Sequence, residues 1–199
     1  LALRLGLKRK VLVRKEFDES LAALRELPGI IQSILNERSG FIHRVAHNCA
    51  KIKNWLYLGR GIYYPVALES ALKMKEVAYV HAEGMSGGFL KHGTLAMVDD
   101  GVNTIVFIPP CGDKKLYEAT LRSVEEIRAR SGFVFGIHFD EKGRNKGLFN
   151  EELILPNVSP LVAPLIQLVI GQLFAYFTAT SLKRNIDKPR FLAKSVTVG

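Results

Sequence analysis

Apolar residues recur at helical spacing over residues 17–27 and again over 30–50, where Ile30, Ile31, Ile34, Leu35, Phe41, Ile42, Val45, Ala46 and Cys49 follow one another at intervals of three and four. Pro28-Gly29 separates the two runs, so they are predicted as two helices or one broken pair. Residues 54–58 (NWLYL) are a short apolar run ending on Gly59-Arg60-Gly61, the pattern of a buried parallel strand that opens into a loop. A helix is expected next, over 65–80, with Pro65 in its first turn. Its repeat places Ala67, Ala71, Met74 and Ala78 on one face and Glu69, Lys73 and Glu76 on the other. Residues 81–93 contain Gly84, Gly87, Gly88 and Gly93 and read as a loop. A second strand over 103–108 stops at Pro109-Pro110, an amphipathic helix follows over 113–130, and a third strand covers 133–139. Leu153-Ile154-Leu155 is a short strand ended by Pro156. Strands alternating with helices imply an α/β fold, a parallel sheet covered on both faces.

No charged residue occurs over 153–182, a length that could cross a bilayer. Pro156, Pro160, Pro164, Gln167, Gly171 and Gln172 interrupt it, and a helix buried between the sheet and a partner subunit needs the same composition. The membrane reading is therefore rejected. At 199 residues with 48% hydrophobic and 24% charged side chains, the chain fits one domain with appendages and is not disordered. The net charge of +9 is confined to the ends: residues 1–15 carry six basic side chains and no acidic one, and residues 183–199 carry five basic and one acidic. A nucleic-acid face spreads its basic residues over the folded body, so no nucleic-acid partner is expected. Leu1, Leu3, Leu5 and Leu7 run into Lys8, Arg9 and Lys10 with no capping residue, so the chain reads as starting mid-element, as a fragment would. No targeting segment is expected. Cys49 and Cys111 make no CxxC pair, and His43, His47 and Cys49 alone are a weak metal signal, so two reduced cytoplasmic thiols are the favoured reading.

Four features could carry chemistry, each beside a plainer reading. Glu69, Lys73 and Glu76 are a solvated face with an i,i+4 ion pair worth a few tenths of a kcal/mol, or a carboxylate tuned by a lysine to act as a general base. His92, closing the glycine-rich stretch, is a surface histidine or an acid and base near neutral pH. Gly59-Arg60-Gly61 ends a strand where open α/β sheets bind ligands and glycines admit a phosphate, though one GxG is a weak signal. Residues 187–199 (DKPRFLAKSVTVG), with Lys188, Arg190 and Lys194, read by themselves as a tail.

In order along the chain, LGRG at 58–61, YPVALESALKMKEVAYVHAE at 64–83, LKHGTLAMVD at 90–99 and DKPRFLAKSVTV at 187–198 resemble one family. They are similar to the C-terminal sugar-isomerase half of the glucosamine-6-phosphate synthases, the isomerising glutamine-fructose-6-phosphate aminotransferases. The resemblance implies a three-layer αβα sandwich with a flavodoxin-like parallel sheet. It also implies a division of the chain: residues 1–16 end a preceding sugar-isomerase (SIS) domain, 17–45 are a helical linker, 46–189 form the second SIS domain and 190–199 a catalytic tail. Lys194 corresponds to the lysine that forms a Schiff base with the open-chain ketose, and Glu76 to the base that moves a proton between C1 and C2. His92 corresponds to the ring-opening histidine, which in the family comes from the neighbouring subunit. Lys73, Glu69 and Ala193 match positions lining the same pocket.

The implied reaction converts fructose 6-phosphate and glutamine to glucosamine 6-phosphate and glutamate, without cofactor or metal. The implied partners are a glutaminase domain that releases ammonia, a first SIS domain and a second copy of the chain, in the cytoplasm. The residue types suit that chemistry: a carboxylate near a lysine can take a proton beside an imine, and crowding by Lys188 and Arg190 favours the neutral amine that imine formation requires. The sequence departs from the family at Thr94, where Pro is common, at Phe89, where a carboxylate is common, and at Phe191 within PRFLAKS. Most residues that grip the sugar phosphate belong to the first SIS domain, so the chain is expected to lack most of the phosphate site. Two alternatives are a glucosamine-6-phosphate deaminase-type enzyme, which has no glutaminase, and a non-catalytic sugar-phosphate-binding module, which has no use for Lys194, Glu76 and His92 together.

Overall fold

The structure is a computed structural model that describes residues 1–99, 101–139 and 147–190. Five strands, β1 (Asn54–Gly59), β2 (His81–Ser86), β3 (Val102–Phe107), β4 (Phe133–Phe139) and β5 (Glu151–Leu155), form one sheet in the order β2-β1-β3-β4-β5. Every pairing is parallel, from Asn54 opposite His81 at one edge to Phe139 opposite Leu155 at the other. The helices are α1 (Ala2–Lys8), α2 (Arg14–Asn48), α3 (Tyr64–Lys73), α4 (Lys114–Arg128) and α5 (Ala163–Ser181). Side chains of successive strand residues go to opposite faces. Trp55, Tyr57, Ile105, Phe107, Phe135 and Ile137 pack into the core shared with α2, α3 and α5. Leu56, Leu58, Val106 and Val134 pack on the other face, under Tyr117, Val124 and Ile127 of α4 and under Leu90 and Val98. The expected α/β three-layer sandwich with a flavodoxin-like sheet is the observed fold, and its strand order reverses between β1 and β3.

Two expectations need correction. The run of glycines over 81–93 is not a loop throughout, because its first half is the edge strand β2. Gly84 serves close packing there: a Cβ would lie 2.6 Å from Leu68 Cα, so α3 rests its backbone directly on the strand. Nor does Pro28 divide two helices, since α2 is one 35-residue helix that contains it. Proline removes one intrahelical bond and crowds the carbonyl four residues back. Pro28, Gly29 and Leu24 are exposed, so water can take that carbonyl, while Ile34, Ile42, Val45 and Ala46 hold the second half of α2 in the core. The domain boundaries expected after residues 16 and 45 both fall inside this helix.

Helix α5 accounts for the charge-free stretch. By length and composition it could cross a membrane, and half of it is buried inside the fold. Its neighbours are α2, α3 and the sheet of the same chain, so no partner subunit is needed to explain that burial. Buried Gln167 ties α5 to the sheet, its amide nitrogen donating to the carbonyls of Ile108 and Ile137 at 2.8 and 2.9 Å.

Candidate active site

Helix α3 begins with Pro65 in its first turn and ends in a wider π-helical turn, Met74–Ala78. The face assignment made from spacing holds: Ala67, Ala71, Met74 and Ala78 are fully buried or nearly so. Glu69, Lys73 and Glu76 gather on the opposite side. Lys73 Nζ donates to Glu76 Oε2 at 2.5 Å and lies 3.4 Å from Glu69 Oε1. The hydrogen bond to Glu76, partly opposed by burial and supported by the charge of Glu69, raises the Lys73 pKa above its ordinary value. Lys73 is therefore a cation at neutral pH, clamped between two carboxylates. Single π-helical turns concentrate at functional sites, and this one carries Glu76.

Tyr79 follows the π turn in the left-handed region, at φ 59°. Its hydroxyl accepts from the backbone N–H of Arg190 at 2.7 Å, and the Arg190 guanidinium lies 4.3 Å above its ring. Arg184 approaches the same ring at 5.5 Å. The chain entering the C-terminal tail is thus fastened three residues beyond Glu76. Ala193 and Lys194 lie outside the described residues. A cleft of 720 Å³ opens beside Tyr79 at the amino ends of β1 and β2, and Lys51, Lys53, His81 and Arg184 line it with no acidic side chain among the described residues.

His92 lies elsewhere. It ends a short 3-10 turn, Leu90–His92, beyond the carboxyl end of β2, exposed and with its ring 5.9 Å from that of Phe89. Helix α3 runs antiparallel to β2, and Gly84 marks where they touch at Leu68. From that point Glu76 is eight residues down the helix, about 12 Å, and the end of β2 is two residues the other way, about 7 Å. One chain therefore brings Glu69, Lys73, Glu76 and the root of the tail together and leaves His92 at the opposite end of the layer.

Arg60 is not free to meet a phosphate through the GRG loop. Its guanidinium points inward, Nη2 donating to the Gly87 carbonyl at 2.6 Å and to Ser123 Oγ at 3.0 Å. Reasoning from sequence missed Tyr79, whose partners are 105 and 111 residues away, Arg184 and Arg190. Nothing local in the sequence signals that pairing. His43 and His47 stand 6.2 Å apart on α2, and among the described residues no group of three His, Cys, Asp or Glu side chains is placed to hold a metal ion.

A parallel sheet in this order, with a carboxylate-lysine cluster at the end of its first crossover helix, defines the class, and the SIS domain family matches residues 49–134. Over 198 residues the chain is 41% identical to the isomerising glutamine-fructose-6-phosphate aminotransferase of Methanosarcina acetivorans, covering all of this chain and 31% of the relative. The C-terminal domain of glucosamine-fructose-6-phosphate aminotransferase from Francisella tularensis superposes with a TM-score of 0.85 at 27% identity, over 94% of this chain and 52% of that one. Tagatose-6-phosphate ketose/aldose isomerase from Escherichia coli shares the fold at a TM-score of 0.67 and 22% identity, over 85% of this chain and 47% of that one. The chain therefore carries a SIS domain and is homologous along its whole length to the isomerase part of the glutamine-fructose-6-phosphate aminotransferases. It spans about a third of the length of those relatives.

Proposed function

We propose that the chain is the isomerase part of an enzyme that makes glucosamine 6-phosphate from fructose 6-phosphate, with ammonia released from glutamine by another part of the same enzyme. The observation that carries this reading is the conjunction of Glu76, hydrogen-bonded to Lys73 on a π turn, with a tail fastened to Tyr79 just beyond it. Lys194 is the fourth residue after Arg190, and an extended chain covers about 14 Å in four steps. A tail of that length would let Lys194 reach the Glu76 turn. Lys73, held as a cation, is a poor candidate for the imine, which leaves the tail lysine as the nucleophile.

In this reading the Lys194 amine adds to the C2 carbonyl of the open-chain ketose and water leaves. Ammonia then replaces the lysine at C2. The Glu76 carboxylate takes a proton from C1, whose bonding electrons form a C1–C2 double bond, and a proton delivered to C2 leaves an aldehyde at C1 and an amine on C2. His92 opens the furanose ring by exchanging protons with the ring oxygen and the C2 hydroxyl. The separation of Glu76 and His92 within one chain supports a homodimer in which His92 of a second copy completes the site. Lys51, Lys53 and Arg184 add a positive field beside the tail that suits an anionic sugar phosphate. Glu69 and Ala193 are assigned to the walls of the pocket, and cytoplasmic residence fits the absence of a disulfide between Cys49 and Cys111.

The test is Glu76→Gln in the full-length enzyme. Exchange of the C1 hydrogen of fructose 6-phosphate with deuterated solvent is expected to fall by roughly 10²- to 10⁴-fold, while a borohydride-trapped imine still forms. Exchange at the wild-type rate would remove Glu76 from the proton transfer.

A further inference from the structure

The segment carrying His92 leaves β2 at Ser86 and is fastened first at Gly87, through both of its backbone polar groups. The Gly87 N–H donates to the Gly59 carbonyl at the end of β1, at 3.0 Å. The Gly87 carbonyl accepts from Arg60 Nη2 at 2.6 Å and from Ser123 Oγ at 3.2 Å. Arg60 Nη2 also donates to Ser123 Oγ, which closes a triangle between the β1 loop, the β2 loop and α4. Ser123 is 1% exposed, so these bonds are made away from water, where polar groups are costly to leave unpaired. The fit at Gly87 is close: a Cβ there would lie 3.1 Å from Arg60 Nε and 3.2 Å from Ser123 Oγ.

Two further contacts carry this anchoring forward to His92. Leu90 is fully buried in the core beneath α4, and Lys91 Nζ pairs with Glu126 Oε1 of α4 at 2.8 Å. The His92 N–H then donates to the Phe89 carbonyl at 2.9 Å, turning the imidazole outward from a segment fixed on its inner side. Among the described residues, Arg60 and Ser123 touch no candidate reacting group. Their shared target is the peptide from which the His92 turn departs.

We infer that Arg60 and Ser123 are positioning residues for His92, holding the Gly87 peptide so that the imidazole projects at the angle needed to reach the ring oxygen of a sugar phosphate bound to a second copy of the chain. This rests on the reading of His92 as the ring-opening group. A displacement of about 1 Å in such a group costs up to about 100-fold in rate. The loss is specific to ring opening, because neither residue lies near Glu76 or the root of the tail.

The test compares two substrates in the full-length enzyme: fructose 6-phosphate, and 5-deoxyfructose 6-phosphate, which lacks the hydroxyl that closes the furanose and is always open. Arg60→Ala and Ser123→Ala are expected to lower kcat/KM on fructose 6-phosphate by roughly 10- to 100-fold and to leave turnover of the open analogue within about twofold of wild type. Arg60→Lys, which keeps one donor for the Gly87 carbonyl, recovers part of the loss, and adding His92→Asn to either alanine variant costs little more than His92→Asn alone. Ser123→Ala removes a single hydroxyl and carries the test if Arg60→Ala does not fold. Equal losses on both substrates overturn the proposal, as do wild-type rates in both variants beside an impaired His92→Asn. A His92→Asn enzyme with wild-type rates on both substrates overturns the ring-opening reading itself and the positioning role with it.

Discussion

Lys73 shows how much one side chain decides. Its two carboxylate neighbours, Glu76 at 2.5 Å and Glu69 at 3.4 Å, hold it protonated, and in the proposed mechanism this divides the work between two lysines: one stays a cation beside the base, the other is the neutral nucleophile. Because its pKa is raised on folding, Lys73 contributes stability that is fully present below its unfolded value and is lost as pH rises through the higher native one. The pair is partly exposed, so the amount is small. Cys49 adds to the same alkaline limb. Burial, reinforced by the Glu151 carboxylate, pushes its thiol from an ordinary 9.0 up to about 11. The unfolded chain releases that proton first, so stability falls between those two values. Urea unfolding from pH 8 to 11 is expected to show the decline, and Cys49→Ala to make it shallower; an unchanged slope would remove Cys49 as its source. With a thiol-reactive dye at pH 8, exposed Cys111 is expected to react well before Cys49, and equal rates would contradict the burial of Cys49.

Elements were legible where one physical signal dominated. β1, β3 and β4 are buried on both faces and read as short apolar runs, α4 carries its apolar positions at helical spacing, and the two faces of α3 followed from a rotation of about 100° per residue. β2 was obscured because its glycine answers to a neighbour distant in sequence: Gly84 is there for the backbone of α3 at Leu68, not for a turn. Gly84→Ala is therefore expected to destabilise the fold by about 1–3 kcal/mol, read from denaturant midpoints. A change within experimental error would mean that α3 and β2 are not in backbone contact. Pro28 misled for a related reason, since local chemistry breaks a helix only when nothing beyond the break holds it, and Ile34, Ile42 and Val45 do. Tyr79 joins two elements that no local pattern connects. Tyr79→Leu removes both the hydroxyl that receives the Arg190 N–H and the ring beneath its guanidinium, and is expected to slow imine formation at Lys194 several-fold with the fold intact. Imine formation at the wild-type rate would show that the tail needs no such post.

At the scale of the whole molecule, the crossover helix α3 runs antiparallel to β1 and β2, which puts Glu76, just past its last turn, toward the amino ends of these strands and His92, beyond β2, at their carboxyl ends. Topology alone then separates the proposed base from the proposed ring-opening group. The 199-residue chain, about a third of the length of its relatives, is expected to fold but to form almost no glucosamine 6-phosphate from fructose 6-phosphate and ammonia, because the proposed function assigns most of the phosphate site to a first SIS domain. Substantial production by this chain alone would contradict the divided site. If His92 serves the Glu76 of a second copy, mixing full-length Glu76→Gln and His92→Asn enzymes restores activity. With random exchange, half the dimers are mixed and each holds one intact site, so roughly a quarter of wild-type turnover is expected; no recovery after verified exchange would place both groups in one chain.

In the proposed mechanism the tail lysine, and not the lysine beside Glu76, bonds to the ketose. Full-length enzyme reduced with borohydride in the presence of fructose 6-phosphate, then digested and mapped by mass spectrometry, tests it most directly. The predicted result is a reduced sugar phosphate adduct on Lys194 that disappears in Lys194→Arg and persists in Glu76→Gln. An adduct on Lys73, or one that survives Lys194→Arg, would contradict the account.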